Sequence, residues 1–216
     1  MIRIPNGRCS AGHLAPASGF TLIELLVTLA VAGVLLAIAG PALKGSLSER
    51  AVVAQASELA EAMRFARAEA MKRGGPVTLC KLSAPPGPAG MTGCAATPST
   101  TWRYWAVFAE RAGNGAIGTF DRGDIALRVQ SDNPGNVDYG TDSPPSLRFI
   151  TFESTGIALS DAWDSTKAGH AANALVITLS PAIGGAGTPS FKRRVRQVCL
   201  SAQGRVAVVD GDGSCA

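Results

Sequence analysis

The stretch GFTLIELLVTLAVAGVLLAIAGPAL, residues 19–43, decides how this chain is to be read. From Leu25 to Ala39 it holds no charge and one hydroxyl, and it is apolar from Phe20 to Leu43 apart from Glu24. As a helix rising 1.5 Å per residue, it nearly spans a membrane's hydrocarbon layer. An ordinary secretory signal has a basic start, then an apolar run, then a small-residue cleavage site. Here the order differs: the polar, small-residue stretch SAGHLAPASG ends at Gly19, ahead of the apolar run. Glu24 is the unusual residue, because a carboxylate near the membrane interior costs a few kcal/mol and needs a partner. Gly33, Gly40 and Pro41 interrupt the helical pattern. Proline removes a backbone donor and clashes with the preceding turn, so a kink or locally melted turn is expected there.

Working outward, Val52, Ala56, Leu59, Met63, Ala66 and Ala70 recur at spacings of four and three, one apolar stripe on a helix that should pack on a sheet. Glu69 and Arg73 stand four apart in the favourable order, and Gly74, Gly75 and Pro76 give the stop. Beyond Pro76 the chain turns to short β-branched and aromatic runs between Gly, Pro, Asn and Asp clusters. Strands are expected at 77–82, 101–110, 125–130, 147–153, 156–159, 174–180, 191–201 and 205–210, with loops at 83–100, 131–146 and 160–173. The fold class is α+β.

The formal charge of +4 falls to about +2 once Arg3 and Arg8, both ahead of Gly19, are set aside. That balance by itself does not point to nucleic acid. Its distribution matters more, because Lys192, Arg193, Arg194 and Arg196 crowd into five residues and Arg205 follows. Of five cysteines, Cys9 precedes Gly19, which leaves the even set Cys80, Cys94, Cys199 and Cys215. Four cysteines allow three pairings; closeness along the chain favours Cys80–Cys94 and Cys199–Cys215, each closing a loop of roughly 15 residues. Disulfides imply an oxidising compartment. Free thiols or a zinc site are the alternative, but no pair has C-x-x-C spacing and His170 is the one histidine after Gly19.

No enzyme, cofactor or metal is expected. No G-x-S-x-G elbow surrounds a serine, and His170 lies in an Ala- and Gly-rich loop. IGGAG at 183–187 lacks the lysine of a phosphate loop. Asp210, Asp212 and Ser214 lack the spacing and terminal glutamate of a calcium loop, so a turn before Cys215 is the reading.

Residues 19–43 resemble the class III signal of type IV pilins and pseudopilins. The segments FARAEAMKRGGPVTLC (65–80), TWRYWAVF (101–108), DIALR (124–128), LRFITFESTG (147–156) and RRVRQVCLSAQGRV (193–206), with Cys215, resemble the GspH/FimT group of minor pilins and pseudopilins. The resemblance implies cleavage after Gly19 by a prepilin peptidase, which also N-methylates Phe20. It implies that Glu24 pairs with the new Phe20 amine of a neighbouring subunit, and that the stretch around Pro41 extends during assembly. A pilin-like architecture follows, a long N-terminal helix packed by its second half on an antiparallel β-sheet sandwich. The expected division is a cleaved leader at 1–19, a transmembrane and filament-core helix at 20–43, an amphipathic half at 44–75 and a periplasmic β-rich domain at 76–216. Implied partners are the peptidase, other minor and major pilins or pseudopilins, and the inner membrane, crossed once. The segment 110–124 departs from the group's more Asp- and Asn-rich loop, so no ion site is carried onto it.

Two functions are open. One is structural, a minor subunit that initiates or caps a type IV pilus or a type II secretion pseudopilus. The other is capture of DNA for uptake, a role implied for some FimT-like members, through Lys192, Arg193, Arg194, Arg196 and Arg205. Phosphate contacts need only reachable positive charge. Alternation places Arg194 and Arg196 on one strand face. No aromatic row interleaves the cations, so base stacking is unsupported. A solvated strand face that discourages edge pairing explains the same charges.

Overall fold

The computed structural model describes residues 19–86, 91, 93–95, 102–111, 117–130, 137–139, 147–160, 175–181, 194–211, 213 and 215, with the backbone alone at 38–45. Two compact units divide the chain, Met1–Ala42 and Leu43–Ala216.

One helix, α1 (Leu22–Arg73), contributes to both. Its backbone is helical through Gly33, Gly40 and Pro41, so the locally melted turn expected there is absent. Proline deletes a single amide from the ladder, and the Leu- and Ala-rich turns on either side are good helix formers that carry it through. The stop falls where glycine permits a left-handed backbone: Gly74 has φ 67°, and the amides of Gly74 and Gly75 both return to the Ala70 carbonyl, at 3.0 and 3.3 Å. Arg73 reaches Glu69 at 2.7 Å and holds its carboxyl below the usual range, with Lys72 at 3.3 Å assisting.

Among the described residues of the second unit nine strands follow: β1 (Val77–Lys81), β2 (Trp105–Ala109), β3 (Ile125–Gln130), β4 (Val137–Tyr139), β5 (Phe149–Phe152), β6 (Ala158–Ser160), β7 (Leu175–Pro181), β8 (Arg196–Leu200) and β9 (Val206–Asp210). They form a five-stranded sheet in the order β3-β2-β1-β5-β6 and a four-stranded sheet in the order β4-β7-β8-β9. Every pairing is antiparallel. The central strand β1 sets Val77 between Ala109 and Phe152 and Leu79 between Val107 and Ile150.

The stripe on α1 meets the inner faces of both sheets in one apolar cluster. Val52, Ala56, Leu59, Met63, Ala66 and Ala70 are buried there with Val77, Leu79, Trp105, Ile150, Phe152, Ile177, Val198 and Leu200. Each large side chain so buried contributes about 1.5–3 kcal/mol. The alanines let the helix backbone approach the strands closely. β7 alternates Leu175, Ile177 and Leu179 inward with half-buried residues between. β1 and β2 are buried on both faces because a second cluster, Cys80, Leu82, Ala106 and Phe108, is covered from the other side by Met91, Cys94, Phe120 and Phe149.

Three strand expectations need correction. Residues 131–146, read as loop, contain β4, which pairs with Leu179–Pro181. At three residues it is too short to show a period, and tertiary contacts hold it: Val137 is buried and the Tyr139 hydroxyl donates to Gln55 Oε1 at 2.8 Å. The strand expected from 101 starts at Trp105, because Trp102 turns into the core and the backbone bends at Arg103 and Tyr104. The strand expected from 191 starts at Arg196, with residues 191–193 outside the described residues; of the loop expected at 160–173, Ser160 ends β6 and the rest lies outside the described residues.

Gln55 ties the edges of the two sheets to the helix. Its Oε1 accepts from Tyr139 on β4 and from Gln130 Nε2 on β3 at 3.3 Å, while its own amide donates to Glu58 at 3.3 Å. Burial, with the Glu58 charge adding, raises the Tyr139 hydroxyl above its ordinary range, so it stays a donor.

Candidate assembly segment and basic strand

Gly19 and Phe20 precede the helix in non-helical conformation, and Phe20 is 90% exposed. Thr21 caps α1. Its amide donates to Glu24 Oε2 at 3.2 Å, its hydroxyl donates to the same oxygen at 3.1 Å, and the Glu24 amide donates back to Thr21 Oγ1 at 3.3 Å. This reciprocal arrangement is a capping box, which satisfies amides that the first turn leaves open. Glu24 therefore has a partner inside its own chain. The pattern T-x-x-E at 21–24 is the sequence signal for this cap.

Every large apolar side chain from Leu22 to Leu36 is more than half exposed. No described residue of the first unit covers them. Among the described residues no helix is long and apolar enough to cross a membrane. The apolar part of α1 with described side chains, Leu22 to Ala37, covers about 24 Å against the ~30 Å hydrocarbon layer. The Pro41 side chain lies outside the described residues.

Of the basic residues near the C-terminus, the described ones, Arg194, Arg196 and Arg205, are spread over a turn, a strand and the far end of a hairpin. Lys192 and Arg193 lie outside the described residues. Arg194 sits in a turn before β8 rather than on the strand face shared with Arg196. Arg196, with 18% of its side chain exposed, meets Asp210 at 3.3 Å and donates to the Val195 carbonyl at 2.9 Å. Arg205 is exposed beyond the turn that joins β8 to β9, its amide donating to Ser201 Oγ at 3.2 Å. From Arg196 to Leu200 the strand alone covers about 13 Å, so Arg205 stands at the opposite end of the hairpin. Its end of the hairpin is instead tied to α1. Arg64 donates to the Val206 carbonyl at 3.3 Å, and Arg67 Nε donates to Gly156 at 3.0 Å.

Cys80 is joined to Cys94 and Cys199 to Cys215, each with Cα atoms 5.7 Å apart. The second bond fixes the chain's end on β8, and the Gly213 amide turns back to the Asp210 carbonyl at 2.8 Å. Asp212 and Ser214 lie outside the described residues. Among the described residues no group of three or more His, Cys, Asp or Glu side chains is placed to hold a metal ion.

A family profile described as type II transport protein GspH matches residues 55–213, which takes in the second half of α1 and all nine strands. The chain belongs to the GspH family. Residues 15–40 match the prokaryotic N-terminal methylation motif, which brackets Gly19, Phe20 and the Thr21–Glu24 cap. This GspH family member thus joins a type II transport protein domain to an N-terminal methylation motif. No match is found among curated proteins. Similar solved structures include the type IV minor pilin FimU of Pseudomonas aeruginosa strain PAO1, at 13% identity and a TM-score of 0.44 over 74% of this chain and 97% of that one. Another is the minor pseudopilin EpsH from the type 2 secretion system of Vibrio cholerae, at 12% identity and a TM-score of 0.42 over 75% of this chain and 98% of that one.

Proposed function

We propose that this chain is a minor subunit that helps initiate or cap a type IV pilus or type II secretion pseudopilus. In this reading a prepilin peptidase cuts after Gly19 and methylates the Phe20 amine. The helix from Phe20 to Leu43 anchors the subunit by one pass in the inner membrane, with the disulfide-bonded domain in the periplasm, and later packs in the filament core beside other pilins or pseudopilins. Glu24 then pairs with the Phe20 amine of a neighbour, and the stretch around Pro41 extends.

The observation that carries this reading is the run of exposed apolar side chains from Leu22 to Leu36, directly after the methylation motif's Phe20. A surface of that kind is stable only against lipid or other helices. Glu24 adds a reason for a specific neighbour, since its carboxylate is costly in hydrocarbon until it meets a positive charge. DNA capture has no comparable support, because Arg196 is engaged by Asp210 and Arg205 lies at the far end of the hairpin.

The test is a pair of variants expressed with the native machinery. Gly19→Val should remain at precursor size on a gel. Glu24→Ala should be cut to the mature size, yet be missing from sheared filaments or from cross-links to neighbouring subunits. Normal processing of the first and normal incorporation of the second would refute the mechanism.

A further inference from the structure

The second half of α1 and two turns of the sheets bring three arginines together. Arg64 donates to the Val206 carbonyl at 3.3 Å, and Arg67 Nε donates to the Gly156 carbonyl at 3.0 Å. Arg67 Nε also stands 2.9 Å from where a Cβ on Gly204 would lie. Arg205, exposed between Gly204 and Val206, thus falls between the two points at which the helix arginines reach the hairpin. Among the described residues none of the three forms an ion pair with a carboxylate, neither with Glu61 one turn before Arg64 nor with Glu153 in the turn before β6.

A guanidinium carries five N–H donors in a rigid fork. Arg64 and Arg67 each spend one on a backbone carbonyl, which holds the side chain in place and leaves donors for another acceptor. Side chains ordered beforehand lower the entropic cost of binding. Apolar groups adjoin the cations. Met71, one turn beyond Arg67 on α1, is 48% exposed, and Ile157, next to Gly156, is 46% exposed. Met71 Sδ and Arg67 Nη2 lie 3.1 and 3.3 Å from where a Cβ on Gly156 would stand, so both meet over one turn. Phosphate contacts need only positive charge, and nucleic acid would leave Met71 and Ile157 without a use. Arginine and methionine together are instead enriched where proteins meet proteins.

We propose that Arg64, Arg67 and Arg205, with Met71 and Ile157, form a docking surface for an acidic segment of another protein. The segment sets a carboxylate on the arginines and an apolar side chain beside it on Met71 and Ile157. A fixed guanidinium fork matches a carboxylate with two parallel hydrogen bonds. Three cations without an internal counter-charge favour an anionic partner over a neutral one and reject a basic one. The surface belongs to the second unit, whereas the exposed run from Leu22 to Leu36 belongs to the first. Its partner is therefore chosen by charge, independently of the apolar segment.

Photo-cross-linking of the full-length chain tests this, expressed with its native machinery and carrying p-benzoylphenylalanine in place of Ala68, an exposed position one turn beyond Arg64. Irradiation should join it to another protein, and the cross-linked peptide, read by mass spectrometry, should hold Asp or Glu beside an apolar residue. The Arg205 side chain makes no hydrogen bond among the described residues, so Arg205→Glu should leave thermal unfolding unchanged while cutting the adduct several-fold. Reversing the partner's mapped carboxylate to Arg in that background should restore the adduct. The proposal is overturned by no adduct, by an adduct with nucleic acid or lipid, or by a peptide without a carboxylate. It is equally overturned if Arg205→Glu leaves the yield unchanged or the reversed pair fails to recover it.

Discussion

Replacing Gly204 with alanine should be among the costliest single-methyl changes in the domain. Gly204 lies in the turn between β8 and β9 with φ 74°, and Gly156 lies in the turn between β5 and β6 with φ 81°. The two turns share one hydrogen-bond pattern: Gly156 returns its amide to Glu153 and Gly204 returns its amide to Ser201, each at 2.8 Å. Both close on Arg67 of α1. A Cβ on Gly204 would overlap the Gly156 carbonyl oxygen, a backbone atom, and would sit 2.9 Å from Arg67 Nε. Left-handed backbone costs an alanine about 1–2 kcal/mol, and forcing the two turns apart adds about 1–3 kcal/mol. A loss of about 3 kcal/mol lowers Tm by about 6–12 °C for a domain of this size. Gly156→Ala meets instead Arg67 Nε at 3.0 Å and Met71 Sδ at 3.1 Å, parts of flexible side chains that yield, so it should cost only the conformational term of about 1–2 kcal/mol. Thermal unfolding of both variants, alone and with Arg67→Ala, is the assay. Arg67→Ala should relieve part of the Gly156→Ala penalty and little of the Gly204→Ala penalty. A Gly204→Ala protein within 1 kcal/mol of wild type, or one more stable than Gly156→Ala, would refute the argument.

Two further outcomes can be checked on the same preparations. Cys80→Ser with Cys94→Ser opens a loop with a sequence separation of 14, which should cost about 3 kcal/mol in denaturant unfolding and should bring the oxidised variant to the level of the reduced wild type at that loop. Thr21→Ala should weaken the start of α1 by about 1 kcal/mol, read as faster amide exchange at residues 22–24, whereas Glu24→Gln keeps the capping box and should leave exchange there nearly unchanged.

What the residues disclosed in advance follows from how local each signal is. The stripe Val52 to Ala70 repeats with the helix's own period, so its buried face could be read directly, as could the stop at Gly74. Strand existence was legible where β-branched and aromatic residues recurred between turn residues, but partners were not: β1 pairs with β2 and with β5, more than sixty residues further along. β4 carries too few residues for any period. Nearness along the chain says little of nearness in space for the described basic residues: a strand and a turn carry Arg205 away from Arg196, and Asp210 arrives beside Arg196 from the neighbouring strand. Gln55 carried no sign of its role, since its partners Tyr139 and Gln130 lie 84 and 75 residues away. The departure of segment 110–124 from its relatives was visible, while the docking of Glu110 on Thr78 depends on the pairing of β1 with β2.

The exposure of Leu22 to Leu36 also fixes how stability scales with amount. The domain's core is covered by its own chain, so its folding equilibrium is indifferent to how many copies are present. The first turns of α1 find no such cover among the described residues, and the free energy of burying them is gained on meeting lipid or another molecule. Mass action then governs that part of the chain and not the rest: anything built through it strengthens with the local density of subunits and dissolves on dilution, while each released domain stays folded.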